Sequence, residues 1–199
     1  MPLINPPGWC TDPKITTLIT VSILGVGSFI STLEWLVNRR QFAAGGLLSF
    51  EVLRSRPLFT GRGLYARILR KTLSYRPYCT ALFLRLASLA ALPVFIGTDQ
   101  YLPTLGLLAI ILVTAFLIHV RSPFGLDGSD QMTTQVYGAL FIVLLVGGPG
   151  LIKIALWYIS LQSVMSYLTS GTAKLISPIW RQGDATHRVF NTRTYGREL

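Results

Sequence analysis

The stretch YLPTLGLLAIILVTAFLIHV, Tyr101–Val120, contains no Asp, Glu, Lys or Arg. A helix that crosses the hydrocarbon core of a bilayer takes roughly 20 predominantly apolar residues, so this segment reads as a transmembrane span. Working outward at the same length, Ile15–Val37, Tyr78–Gly97, Thr133–Gly148 and Leu151–Thr172 read the same way, with Thr133–Gly148 the shortest. The expected fold is all-α, an integral membrane helical bundle of about five spans forming one domain over residues 1–199. Composition agrees, since 51% of positions are hydrophobic and 13% charged, too apolar a balance for an ordinary soluble domain.

The formal net charge of +10 raises nucleic acid as a partner, but the placement of the charges argues against it. Between the first two spans lie Arg39, Arg40, Arg54, Arg56, Arg62, Arg67, Arg70, Lys71 and Arg76; Arg121 follows the third span, and Arg181, Arg188, Arg193 and Arg197 follow the fifth. The connection Thr98–Gln100 has no basic residue. Cationic loops stay on the cytoplasmic side, which places the amino terminus outside and the tail 175–199 in the cytoplasm, the pattern of a bacterial cytoplasmic membrane. Membrane lipids and other membrane proteins, rather than nucleic acid, are the expected partners.

Met1–Pro13 is rich in proline, with a Pro6-Pro7-Gly8 turn, and reads as an external lead-in with Trp9 at the interface. The first span lacks a basic leader and a small-residue cleavage site, and is read as retained. Cys10 and Cys79 fall on opposite sides of the bilayer, so no disulfide is expected. Gly25, Gly27, Ser28 and Ser31 permit close helix contact in the first span. Near its inner end Glu34 either reaches water or pairs with Arg39 or Arg40.

Residues 62–75 set Leu64, Tyr65, Ile68, Leu69 and Tyr75 against Arg67, Arg70, Lys71 and Ser74, with Arg62 at the start. This is a short basic amphipathic helix, expected on the cytoplasmic leaflet, where each basic residue gains roughly 1 kcal/mol from anionic lipid. The preceding run from Gly45 to Phe50 is apolar but too short to span, and reads as re-entrant or interfacial.

Arg85 lies inside the second span. It either snorkels to the inner surface or faces inward to bind a carboxylate, a quinone oxygen or a partner. His119 and Arg121 close the third span, where cations suit the helix dipole. The segment from Ser122 to Met132 carries turn chemistry, with Asp-Gly at Asp127-Gly128 and Ser129 or Asp130 as a helix cap. Without His or Cys nearby, Asp127 and Asp130 make no metal site. Pro93 and Pro103 flank a short connection and do not break a helix at the midplane, which gives alternating access no support.

In the fifth span Ser163, Tyr167, Ser170 and Lys174 recur at spacings that place them on one stripe of a helix, and Ser160 joins it, with Gly171 alongside. Polar residues in a membrane helix favour the bundle interior or a wet cavity over lipid. The stripe ends at Lys174, which either snorkels to the inner surface or serves as a general base if desolvation lowers its pKa. No Ser-His-Asp arrangement, phosphate loop or metal-ligand cluster is visible.

The run from Ser166 through Tyr167, Ser170-Gly171, Ala173-Lys174-Leu175 and Trp180-Arg181-Gln182-Gly183 to Asp184 resembles the family called horizontally transferred transmembrane domain proteins. Glu34-Trp35, Gly46-Leu47-Leu48-Ser49 and Asp127-Gly128-Ser129-Asp130-Gln131 follow the family's order, so the likeness covers most of residues 30–184. The family includes the membrane part of vitamin K-dependent γ-glutamyl carboxylases and the sporulation-delaying protein B group, whose members accompany secreted peptide toxins. The resemblance implies that Lys174 is the base of a carboxylase-like or quinol-linked reaction, with Tyr167 and the serines lining its cavity and a quinone as cofactor. It also implies, as an alternative, a peptide-toxin maturation or export factor.

Two departures point elsewhere. No histidine stands before Gly106-Leu107-Leu108-Ala109, where the nearby residues are Gln100 and Tyr101, and the chain stops at Leu199 where family members continue into further spans. The leading expectation is therefore a small membrane subunit or accessory factor that packs in a larger membrane assembly.

Overall fold

A computed structural model of the protein describes residues 12–46, 48–54, 63–122, 128–148 and 150–191, without the side chains at 54, 189 and 190. Trp9, Cys10, Arg56, Arg62, Asp127, Arg193 and Arg197, and the side chain of Arg54, lie outside the described set. The elements in chain order are α1 (Pro13–Val37), a 3-10 helix (Arg39–Phe42), α2 (Phe50–Arg54), α3 (Leu64–Thr72), α4 (Tyr75–Gly97), α5 (Tyr101–Arg121), α6 (Gly128–Val146), α7 (Leu151–Ile176), α8 (Pro178–Arg181) and α9 (Asp184–Phe190). Among the described residues there is no strand. The chain divides into two compact units, Met1–Leu156 and Trp157–Leu199.

Helix α1 starts where its residues dictate. Asp12 takes an extended backbone and its carboxylate accepts from the Lys14 amide at 2.8 Å, while Pro13 occupies the first turn, where a missing N–H costs nothing. Thr17, Val21, Gly25, Ser28, Thr32 and Leu36 are buried on one face, whereas Ile23, Val26, Ile30 and Val37 are all more than half exposed. Small and polar side chains inward with large aliphatic ones outward is the reverse of a water-soluble helix. It suits a helix whose outer face meets lipid and whose inner face packs closely against neighbours.

In the first unit α1 packs on α4, α4 on α5, α5 on α6, and α6 returns to α1. Four of the five long helices, α1, α4, α5 and α7, have the length and apolarity to cross a membrane, and the protein is membrane-embedded. The fifth, α6, falls short. Its first two turns read Gly-Ser-Asp-Gln-Met-Thr-Thr-Gln, so the apolar part expected from Thr133 to Gly148 is preceded by polar helix and the helix ends at Val146.

The segment between α1 and α4 forms a cap rather than a re-entrant hairpin. Phe42, Leu53, Leu69, Leu73, Tyr78 and Leu82 make one buried cluster with Leu36, Ile118 and Val120. Phe42 stacks on Trp35 with ring centroids 5.5 Å apart and meets Tyr78 edge-on at 5.2 Å. The turn requires glycine: Gly45 has φ +84°, and a Cβ at Gly46 would stand 2.2 Å from the Gln41 carbonyl oxygen. Helix α3 spans Leu64–Thr72 rather than 62–75 and turns Ala66 and Leu69 inward. Leu64, Tyr65 and Ile68 remain more than half exposed, so the expected single apolar face is split into an inward one and an outward one.

In the second unit, α7 is a continuous helix that runs to Ile176, four residues past the expected end. Helices α8 and α9 pack on each other, and an ion pair links Asp184 to Arg188 at 3.7 Å.

Candidate functional site

Arg85 faces inward. Its side chain is buried; Nε donates to Thr32 Oγ1 at 3.2 Å, and one terminal nitrogen donates to the Ile111 carbonyl at 2.8 Å and to Thr114 Oγ1 at 3.3 Å. Three helices meet at one guanidinium. The snorkelling alternative is excluded by these bonds, which tie the guanidinium to Ile111 and Thr114 in the middle of α5 and to the buried Thr32 of α1.

A small polar pocket of about 20 Å³ adjoins this guanidinium, lined by Ser28, Ser31, Thr32, Arg85, Asp130, Thr133 and Thr134 among others. Its size is that of about one water molecule. The lining explains the polar start of α6. Asp130, Thr133 and Thr134 face a cationic, hydroxyl-rich interior, where a charge inside the membrane zone has partners. Thr134 also bonds back to the Asp130 carbonyl at 2.8 Å.

Arg121 is the residue that sequence reasoning placed least well. Read as a surface cation at the end of a helix, it is fully buried. Its guanidinium lies over the Tyr78 ring at 4.3 Å and the Phe42 ring at 4.9 Å. Its amino groups donate to the main-chain carbonyls of Leu73, Phe42 and Leu48. These carbonyls lie in the cap and at the end of α3, outside any helix ladder that could satisfy them, so the planar fork of arginine ties the cap to α5. The clue available in the sequence was the pair of Gly residues at Gly45 and Gly46, which folds the cap back onto α5. Glu34 is exposed, and among the described residues no ion pair joins it to Arg39 or Arg40.

On α7 the stripe is present as helix but is not enclosed. Tyr167 is 78% exposed, and Ser160, Ser170 and Lys174 are exposed as well, with Ser163 half-buried and its hydroxyl bonded to the Ile159 carbonyl at 2.8 Å. Gly171 opens a shallow notch between Tyr167, Leu168 and Leu175 that also reaches Ser163. Lys174 does not join it. Its ammonium lies 4.9 Å from the centre of the Trp180 ring, so the structure brings together Lys174 and the Trp-Arg-x-Gly segment. Of the basic residues assigned to the lipid surface, Arg67 and Lys71 are exposed, and Arg70 bonds to the Ala66 carbonyl at 3.1 Å.

Family models, curated proteins and solved structures return no match for this chain. Among the described residues no three His, Cys, Asp or Glu side chains are grouped as metal ligands would be.

Proposed function

We propose that the protein is a small integral membrane subunit or accessory factor, docked through α7 to another membrane protein in a larger assembly. One observation carries this reading. In α1, α4 and α5, 28% of the most apolar stretch is buried, against 6% in α7. Lipid alone suits the aliphatic side of α7, where Leu161 and Met165 are more than half exposed. It suits the other side poorly, because the hydroxyls of Ser163 and Ser170 and the missing side chain at Gly171 favour close helix contact. An enzyme that used Lys174 as a base would shield it in a closed cavity. Lys174 is instead exposed and set against Trp180, which favours the subunit reading over carboxylase-like chemistry.

In this reading the chain keeps its kinship with the horizontally transferred transmembrane domain proteins. It lies in a bacterial cytoplasmic membrane with its amino terminus outside and its carboxyl terminus in the cytoplasm. That orientation has α6 as a fifth crossing. Its 19 residues reach about 28 Å at 1.5 Å per residue, close to the ~30 Å hydrocarbon thickness, and its polar turns line the Arg85 pocket. Native mass spectrometry after gentle extraction tests the proposal. A membrane protein partner at fixed stoichiometry is expected, and it should be lost when Ser163 and Ser170 are both changed to Phe. A lone monomer in every mild detergent would refute it.

A further inference from the structure

At the far end of α5 from Arg121, the start of α1, the α4–α5 turn and the end of α6 enclose a second, larger cavity of about 480 Å³. That volume lies within the range of about 300–1,000 Å³ common to ligand pockets. Its floor is apolar. Leu108 and Leu140 are almost completely buried there, and Phe95 and Leu144 complete the wall. The Tyr101 hydroxyl fastens the wall by donating to the Leu144 carbonyl at 2.5 Å.

The rim is charged. Lys14 and Asp99, with side chains 45% and 73% exposed, form an ion pair at 2.5 Å, and Asp12 lines the same rim. Asp99 is held at φ 57°, the one non-glycine residue with positive φ among those described. It thereby turns back toward α1. Two carboxylates and one ammonium thus stand at the mouth of a hydrocarbon-lined cavity, in a protein whose surrounding medium is lipid.

We propose that this cavity is a binding site for one acyl chain of a zwitterionic, amine-bearing phospholipid of the phosphatidylethanolamine class. The chain fills the floor formed by Leu108, Leu140, Phe95 and Leu144. The head group lies at the rim, its phosphate on Lys14 and its ammonium on Asp12 and Asp99. An exposed ion pair such as Lys14–Asp99 contributes only about 0–1 kcal/mol, so exchanging it for contacts to a head group costs little. A water-filled alternative is disfavoured because an apolar floor gives water no hydrogen-bond partners. An anionic lipid would bring its phosphate to a rim that carries an excess of carboxylate.

The test is photolabelling of the full-length protein in vesicles that contain a trace of phosphatidylethanolamine with a diazirine on its acyl chain. Label is expected on the peptides that carry Phe95 and Leu144 in excess of those that carry Ile23 and Val113, which are exposed on the outside of α1 and α5. The same chain on phosphatidylglycerol should label the cavity about fivefold less, the size of one exposed ion pair. Lys14→Ala with Asp99→Ala should remove that preference, and Leu144→Trp should reduce cavity labelling while the circular dichroism stays helical. Even labelling of cavity and outer surface in the wild type would overturn the site, and equal labelling by the two lipids would overturn the head-group assignment.

Discussion

The Arg85 guanidinium and the Thr32 hydroxyl, 53 residues apart in the chain, are joined by a buried hydrogen bond of 3.2 Å. Thr32 donates in turn to the Ser28 carbonyl at 2.6 Å, and Thr114, the other hydroxyl at this guanidinium, donates to the Ile110 carbonyl at 2.8 Å. Both hydroxyls keep a partner if Arg85 is removed, whereas Arg85 keeps only the Ile111 carbonyl of its three acceptors if the hydroxyls go. Replacing a buried cation by an apolar side chain of similar volume removes its desolvation cost together with its hydrogen bonds, whereas stripping acceptors from a buried donor costs about 1–3 kcal/mol. Arg85→Met is therefore expected to lose less stability than the paired threonine variant in thermal unfolding in mild detergent. Thr32→Val with Thr114→Val should be the less stable variant. The opposite order would show that Arg85 is there for stability.

Arg121 stands in the opposite position. Its fork is donated to carbonyls of Leu73, Phe42 and Leu48, and Arg121→Met leaves these buried acceptors unmatched. A loss of roughly 3 kcal/mol or more is expected from several such groups together. Limited proteolysis should then cut within residues 39–54 at a protease level that spares the wild type. Gly46→Ala should reproduce the cleavage, because its Cβ would collide with the Gln41 carbonyl. If neither variant is cut faster, the cap is not held by Arg121.

Helix α3 presents three faces: Ala66 and Leu69 inward, Leu64, Tyr65 and Ile68 outward, and Arg67 and Lys71 between them. An outward apolar face beside a basic one fits the membrane–water boundary. Tyr65→Trp places a reporter there, on a helix other than those that carry Trp35, Trp157 and Trp180. The emission it adds should be quenched most by lipids brominated near the head of the acyl chain. Quenching only by an aqueous quencher would put α3 in water.

How much of this was legible follows from which residues carried the signal. The spans were read from unbroken apolar length, so α1, α5 and α7 begin or end within a few residues of the expected bounds. Hydropathy starts this span at Thr133 with Ser129 or Asp130 as its cap, whereas the helix begins at Gly128; only the position of Arg85 on a different helix makes Asp130 interior. Arg121 was missed for the same reason in reverse. A cation at a helix end looks like surface until Gly45 and Gly46 fold a distant segment over it. The α7 stripe was visible as a pattern, but periodicity gives direction on a helix and says nothing about what lies opposite.

The carboxylase-like alternative makes its own testable claim. Lys174 sits on Trp180 and not in a cavity, so purified protein supplied with a quinol is expected to consume no oxygen above the protein-free background. Uptake that is lost in Lys174→Ala and kept in Lys153→Ala would establish Lys174 as a base and displace the subunit reading.

In the proposed assembly the polar side of α7 is covered by another membrane protein, and a photo-crosslinking amino acid placed in turn at Ser163, Ser170, Leu161 and Met165 in cells tests this. One discrete crosslinked protein band is expected from positions 163 and 170, with lipid adducts alone from 161 and 165. Lipid adducts from all four positions would mean that α7 faces the bilayer on every side, and would contradict it.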